Sequence, residues 1–90
     1  MTLNDVVFIN NLPTLDLHGC DRVTAKILIN DFIKENYLLK QNIFVIVHGI
    51  GKGIIYKETC DVLRKNKLVL EYKTYYYNNG CTIVEIKIDR

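Results

Sequence analysis

No apolar run in this sequence approaches the roughly 20 residues that a membrane span needs; stretches such as NIFVIV at 42–47 stop far short. The N-terminus, Met1 to Asn11, has no basic segment followed by an apolar core, so no secretory signal is expected. Cysteine is sparse and odd in number, with Cys20, Cys60 and Cys81 and no pair at zinc-knuckle spacing. That count argues against a disulfide framework and for a reducing compartment, so a cytoplasmic location is expected. Charge of one sign is also lacking: 12 basic and 10 acidic residues leave a net +2. Such a weak tilt excludes the strongly basic footprint of a protein that wraps phosphates by bulk charge. A nucleic-acid partner would have to be met by the local placement of Lys and Arg. There is no internal repeat and no low-complexity tract.

What is present fits one small domain. Ninety residues leave no room for a second core. With 49% hydrophobic and 24% charged residues, the composition is that of a folded globular chain and excludes disorder. The single proline, Pro13, divides an N-terminal stretch, residues 1–13, from the domain at 14–90. That stretch reads as a free arm or as a short extra strand around Val6 to Ile9.

Thr14 to His18 alternates apolar and polar, the pattern of a strand with Leu15 and Leu17 on one face. Asp21 can cap a helix running from Arg22 to about Leu39. Ala25, Leu28, Ile29 and Phe32 recur on that helix at core spacing. Lys26, Asn30, Lys34 and Glu35 fall on its solvent side. Asn42 to Val47 is a continuous β-branched and aromatic run, as in a strand buried on both faces. A second helix is expected from Ile54 to about Asn66, with Ile55, Thr59, Val62 and Leu63 inward. Leu68 to Tyr76 and Cys81 to Ile88 read as two strands, with Asn78, Asn79 and Gly80 as the turn between them. The order β-α-β-α-β-β predicts a two-layer α/β sandwich, with a four-stranded mixed sheet and both helices on one face.

Chemistry concentrates at two segments. Leu15-Asp16-Leu17-His18-Gly19 ends the first strand, and His48-Gly49-Ile50-Gly51-Lys52-Gly53 ends the second. Adjacent parallel strands would carry both, and with them both histidines of the chain, to the edge where open α/β sheets bind ligands. Each residue type suits a phosphodiester. Gly19, Gly49, Gly51 and Gly53 let the backbone approach a phosphate, and amides at a helix start favour anions. Lys52 and Lys57 add positive charge. His18 and His48 can serve as general acid and base near neutral pH. Asp16 could orient an imidazole or recruit a divalent cation such as magnesium.

Plainer readings stand beside these. A histidine at a strand end is often a packing residue. HGIGKG matches neither a Walker A loop nor the dinucleotide fingerprint. Two histidines with Asp16 lack a third strong zinc ligand. Tyr72, Tyr75, Tyr76 and Tyr77 could stack on bases, but tyrosine also suits half-buried strands. Lys57, Arg64, Lys65 and Lys67 form either a phosphate-facing patch or a solvated helix face. Cys20 is the one thiol expected near the histidines.

LDLHG at 15–19, HGIGKG at 48–53 and NNGCTIVEI at 78–86 together resemble the Smr (small MutS-related) domain, over residues 14 to 88. The resemblance implies a two-layer β-α-β-α-β-β fold similar to the C-terminal domain of translation initiation factor 3. It implies action on nucleic acid, RNA or DNA, as an endonuclease for which RNA is the favoured substrate, or else as a non-catalytic module that binds nucleic acid or a ribosome. It implies that Leu15, Asp16, Leu17 and His18, with His48, Gly49, Gly51 and Gly53, line the site, and so supports Asp16, His18 and His48 as the catalytic candidates. The chain departs from the family pattern twice. Ile55-Tyr56 stands where relatives often carry Leu-Arg, and the loop Asn78, Asn79, Gly80, Cys81, Thr82 is less glycine-rich than the usual one. Both changes bear on phosphate handling.

Overall fold

A computed structural model describes residues 11–51, 53–75 and 78–88. The expected extra strand at Val6 to Ile9 and the residues Lys52, Tyr76 and Tyr77 lie outside this set. Six elements follow in order: β1 (Thr14–Asp16), α1 (Arg22–Leu38), β2 (Ile43–Val47), α2 (Ile54–Lys65), β3 (Val69–Tyr75) and β4 (Asn78–Ile86). Among the described residues the sheet has four strands in the order β1-β2-β4-β3. β1 and β2 are parallel, whereas β4 runs antiparallel to both β2 and β3.

Residue alternation divides the sheet into two faces. Leu17, Phe44, Ile46, Val84 and Ile86 join Ala25, Ile29 and Ile33 of α1 and Val62 and Leu63 of α2 in one buried cluster. Phe32 meets Phe44 edge-on within it, with ring centroids 5.1 Å apart. Both helices therefore cover the same face. On the opposite face Ile43 and Ile83 form a smaller buried pair, with Leu12 and Tyr75 packed against it. Leu28 and Phe32 are only half-buried; the inner stripe of α1 runs instead through Ala25, Ile29, Ile33 and Asn36. Asn36 is accommodated because its Nδ2 donates to the Phe32 carbonyl at 2.8 Å.

α1 starts where expected. The Thr24 N–H donates to Asp21 Oδ1 at 2.7 Å, and that bond holds the Asp21 carboxyl below the usual carboxylate range. At its other end the chain reverses through Lys40, which takes φ +58°. The Lys40 N–H donates to the Tyr37 carbonyl and the Gln41 N–H to the Asn36 carbonyl, a closure that glycine usually makes.

Two expectations need correction. The first strand ends at Asp16 and not His18, because the Asp16 side chain binds the backbone of His18 and turns the chain. Asn78, Asn79 and Gly80 are not the hairpin turn. Tyr75 pairs with Asn78, so all three belong to β4, and register shifts within the β3–β4 pair absorb the irregularity.

Two outcomes are expected. Lys40→Gly should stabilise the domain by about 1 kcal/mol, read from urea unfolding, because it relieves the left-handed backbone of a residue with a Cβ. Asp21→Ala should lower the melting temperature near neutral pH. A depressed folded-state pKa stabilises above the unfolded pKa and loses that effect as pH falls through the folded one. The gap between Asp21→Ala and wild type should therefore close in acid, as followed by circular dichroism melts.

Candidate functional site

The parallel pairing of β1 with β2 sets Asp16 beside Val47, and the Leu17 N–H donates to the Val47 carbonyl at 2.8 Å. The two His-Gly segments therefore leave the sheet side by side. Asp16, His18, Gly19 and Cys20 line one cleft of about 480 Å³ together with His48, Gly49, Gly51 and Ile55. The expected meeting of both motifs at one strand edge is what the backbone builds.

The two histidines are not equivalent. His18 is exposed, whereas His48 is only 8% exposed. His48 Nδ1 lies 2.9 Å from the Gly49 carbonyl and Nε2 lies 2.8 Å from Thr82 Oγ1. A carbonyl can only accept, so Nδ1 carries the proton and, in the neutral ring, Nε2 accepts from the Thr82 hydroxyl. The ring also packs against Tyr56, with centroids 4.9 Å apart. Both nitrogens are thus committed within the fold. His48 is a clamp on the glycine loop in this arrangement, not a free acid or base.

Asp16 also has a local task. Its Oδ1 accepts the His18 backbone N–H at 2.9 Å, so the carboxylate shapes the turn that presents the imidazole. Asp16 falls on the sheet face away from the helices, alongside Cys81 across β2. Burial first, and then the Asp16 charge, push the Cys81 thiol up. Among the described residues no three His, Cys, Asp or Glu side chains gather into a metal-binding group. Among the described residues Asp16 is the one carboxylate lining the cleft, and with no third ligand gathered beside it the donor set does not fit zinc.

The glycine loop is held from β4. The Gly80 carbonyl accepts from both the His48 N–H at 2.9 Å and the Gly49 N–H at 3.1 Å. The Gly49 amide is consequently spent on the fold and does not face a ligand, a correction to its expected role in the phosphate cradle. A Cβ at Gly80 would come 3.2 Å from Asn78 Oδ1, a contact to which that side chain would have to yield, and would rest in ordinary van der Waals contact with Gly49 Cα at 3.4 Å. Gly53 sits at φ +80° as the residue preceding α2, and no side chain caps the helix start. Its first turn carries no acidic residue. The free amides and the helix dipole therefore favour an anion at this end of the cleft. Gly19 (φ +79°) and Gly51 have open space around them.

Lys57 is not brought into this cleft. It lines a larger concavity of about 580 Å³ on the outer side of α2, with Arg22, Tyr56, Asp61 and Arg64. That concavity contains neither histidine, and we place the site at the smaller cleft where both motifs converge. The basic patch is partly neutralised, since Asp61 pairs with Arg64 at 3.3 Å and Lys65 at 3.1 Å. Of the tyrosines, Tyr72 is half-buried against the helix-side core. Sequence reasoning missed Thr82, Gly80 and Tyr56 as parts of the site. The signal for Thr82 was available only through strand register, which sets it beside Ile46, two residues before His48.

Fold and cleft together define a two-layer α/β domain with a glycine-lined, anion-favouring pocket at the parallel edge of its sheet. The chain matches the Smr domain over residues 15–87, and it belongs to the Smr domain family. It is 32% identical over 77 residues to the endonuclease MutS2 of Clostridium botulinum (strain ATCC 19397 / Type A), covering 82% of this chain and 10% of that protein. For the MutS2 of Clostridium tetani the identity is 30% over 76 residues. The chain thus spans about a tenth of the length of the curated relatives it matches. The crystal structure of the Smr domain of Thermus thermophilus MutS2 superimposes with a TM-score of 0.82 at 22% identity, over 84% of this chain and 99% of that one. YdaL, a stand-alone small MutS-related protein from Escherichia coli, gives a TM-score of 0.70 at 17% identity, over 82% of this chain and 63% of that one.

Thr82→Val keeps the side-chain shape but leaves His48 Nε2 without its hydroxyl. It should cost about 1–3 kcal/mol in urea unfolding, while Thr82→Ser stays close to wild type. Equal stability of all three would show that the clamp carries no weight.

Proposed function

We propose that this chain binds nucleic acid at the cleft between LDLHG and the glycine loop and hydrolyses or transfers a phosphodiester there, RNA in preference to DNA. The observation that carries the reading is the convergence of the two motifs on one cleft at the uncapped start of α2. The MutS2 relatives are named endonucleases, which supports a nuclease reading for a domain of the same family. A phosphate seated against the amides of Gly51 and Ile55 would lie on the same cleft as the exposed His18. His18 then takes the proton from the attacking oxygen or returns one to the leaving oxygen. Lys52 lies outside the described residues; a lysine at that point of the loop supplies charge to the same phosphate.

The RNA preference follows from having one solvent-facing histidine at the cleft. RNA carries its own nucleophile, the 2′-hydroxyl, next to the phosphorus. His18 as base frees that oxygen to form the new P–O bond while the 5′-oxygen leaves and is protonated. DNA would need a positioned water as well. No step here is routed through a metal; Asp16 would be the residue to hold a magnesium ion, which would neutralise phosphate charge, and the chelator arm addresses that alternative.

A second reading is favoured by His48, whose ring nitrogens are both engaged. With a single free imidazole the domain would serve as a binding module for structured nucleic acid or a ribosomal surface.

The test is incubation of the protein with labelled single-stranded RNA, hairpin RNA and duplex DNA, in magnesium or in EDTA, beside His18→Ala. Loss of His18 should slow cleavage by about 100-fold or more. Equal turnover by wild type and variant would remove His18 from the reaction. Binding that weakens steeply with salt, without products in any lane, would establish the module instead.

A further inference from the structure

One region of the cleft is poorly explained by phosphate chemistry. Around the uncapped start of α2 three apolar side chains face solvent: Ile50 at 73% exposure, Ile54 at 52% and Tyr56 at 38%. A site that held only backbone phosphates would gain nothing from this surface. Tyr56 is also braced. His48 packs against its ring at a 60° tilt with centroids 4.9 Å apart, and His48 is itself held by Thr82 and Gly49. The ring is therefore supported on one side and open on another.

What it opens onto is a second hollow of about 450 Å³, between Tyr56 and Ile50 on one side and Thr74 and Asn79 on the other. This lies within the range of small-molecule clefts. Its walls combine an aromatic ring with a hydroxyl and an amide on exposed residues of β3 and β4. Such walls match a nucleobase, which presents a π-face to stack and polar edges to hydrogen-bond. The hollow shares His48, Gly49, Ile50 and Gly53 with the glycine loop, and Tyr56 lies in the first turn of α2. A nucleotide with its phosphate on the first-turn amides would have its base within reach of that ring.

We propose that the hollow between Tyr56 and Asn79 is a base subsite that accepts one unpaired nucleobase stacked on Tyr56, so that the ligand of this chain is single-stranded or looped nucleic acid. The inference rests on the nucleic-acid reading above and narrows its substrate class. A base inside a duplex is stacked on both faces and cannot lie on Tyr56 without leaving the helix. Tyr56 is a specificity residue in this account and has no part in proton transfer. Asn79 reads the edge of the base.

The experiment uses the full chain carrying His18→Ala, so that cleavage does not obscure binding. Two probes of the same sequence are titrated: a single-stranded RNA with one 2-aminopurine, and that strand annealed to its complement. Fluorescence polarisation gives affinity, and 2-aminopurine quenching reports stacking. Tyr56→Leu should weaken single-strand binding by about 5- to 100-fold and abolish the quenching. Tyr56→Phe should keep both within about twofold, and the duplex affinity should stay unchanged in all variants. Melts of each variant confirm folding, and the exposed ring makes Phe and Leu tolerable there. Unchanged single-strand affinity in Tyr56→Leu would overturn the subsite while leaving the nucleic-acid reading intact. Equal losses in Phe and Leu would assign the effect to the hydroxyl and overturn stacking. Failure of the His18→Ala parent to bind either probe would overturn both readings.

Discussion

The clamp that His48 makes between its own loop and β4 is the constraint on which the rest of the cleft depends. One ring joins Gly49 through Nδ1 and Thr82 through Nε2, while its backbone N–H and that of Gly49 converge on the Gly80 carbonyl. Either of the two ring contacts would be costly to leave unmatched in a side chain this buried, and the two backbone bonds lock the same junction. Together they fix where β2 hands over to the glycine loop, and so where α2 begins. The aromatic contact with Tyr56 extends the same support to the first helical turn.

This arrangement separates two tasks that a pair of histidines would otherwise share. His48 gives up its freedom and builds the loop. His18, on a turn shaped by Asp16, stays open to solvent. The anion-favouring character of the cleft comes from backbone amides and a helix start more than from side-chain charge. That agrees with a chain whose net charge is only +2.

Much of the fold was legible because apolar spacing controls it. The inner stripe of α2 at Thr59, Val62 and Leu63 and the continuous run of β2 were both plain in the sequence, since each element must bury those residues to exist. The Asp21 cap was legible for the same local reason. The β3–β4 connection was not. Asn78-Asn79-Gly80 has turn composition, yet Asn78 Oδ1 accepts the Gly80 N–H within a strand, and the Gly80 carbonyl accepts from His48 and Gly49. The roles of the two histidines were equally hidden. Both precede glycine at strand ends, and only strand register places the Thr82 hydroxyl near one of them. Spacing along a chain reports faces; it does not report which partner waits across the sheet.

β1 is only three residues long, and among the described residues it lies at the sheet's edge and is bonded to β2 alone. Its few hydrogen bonds make it the kind of segment that opens locally at low free energy, well before the core of β2 and β4 gives way. One lip of the cleft, with Asp16 and His18, is therefore attached more loosely than the other. A ligand that spanned both lips would tie this short strand to the rest of the sheet, so that its binding and the integrity of β1 would rise and fall together.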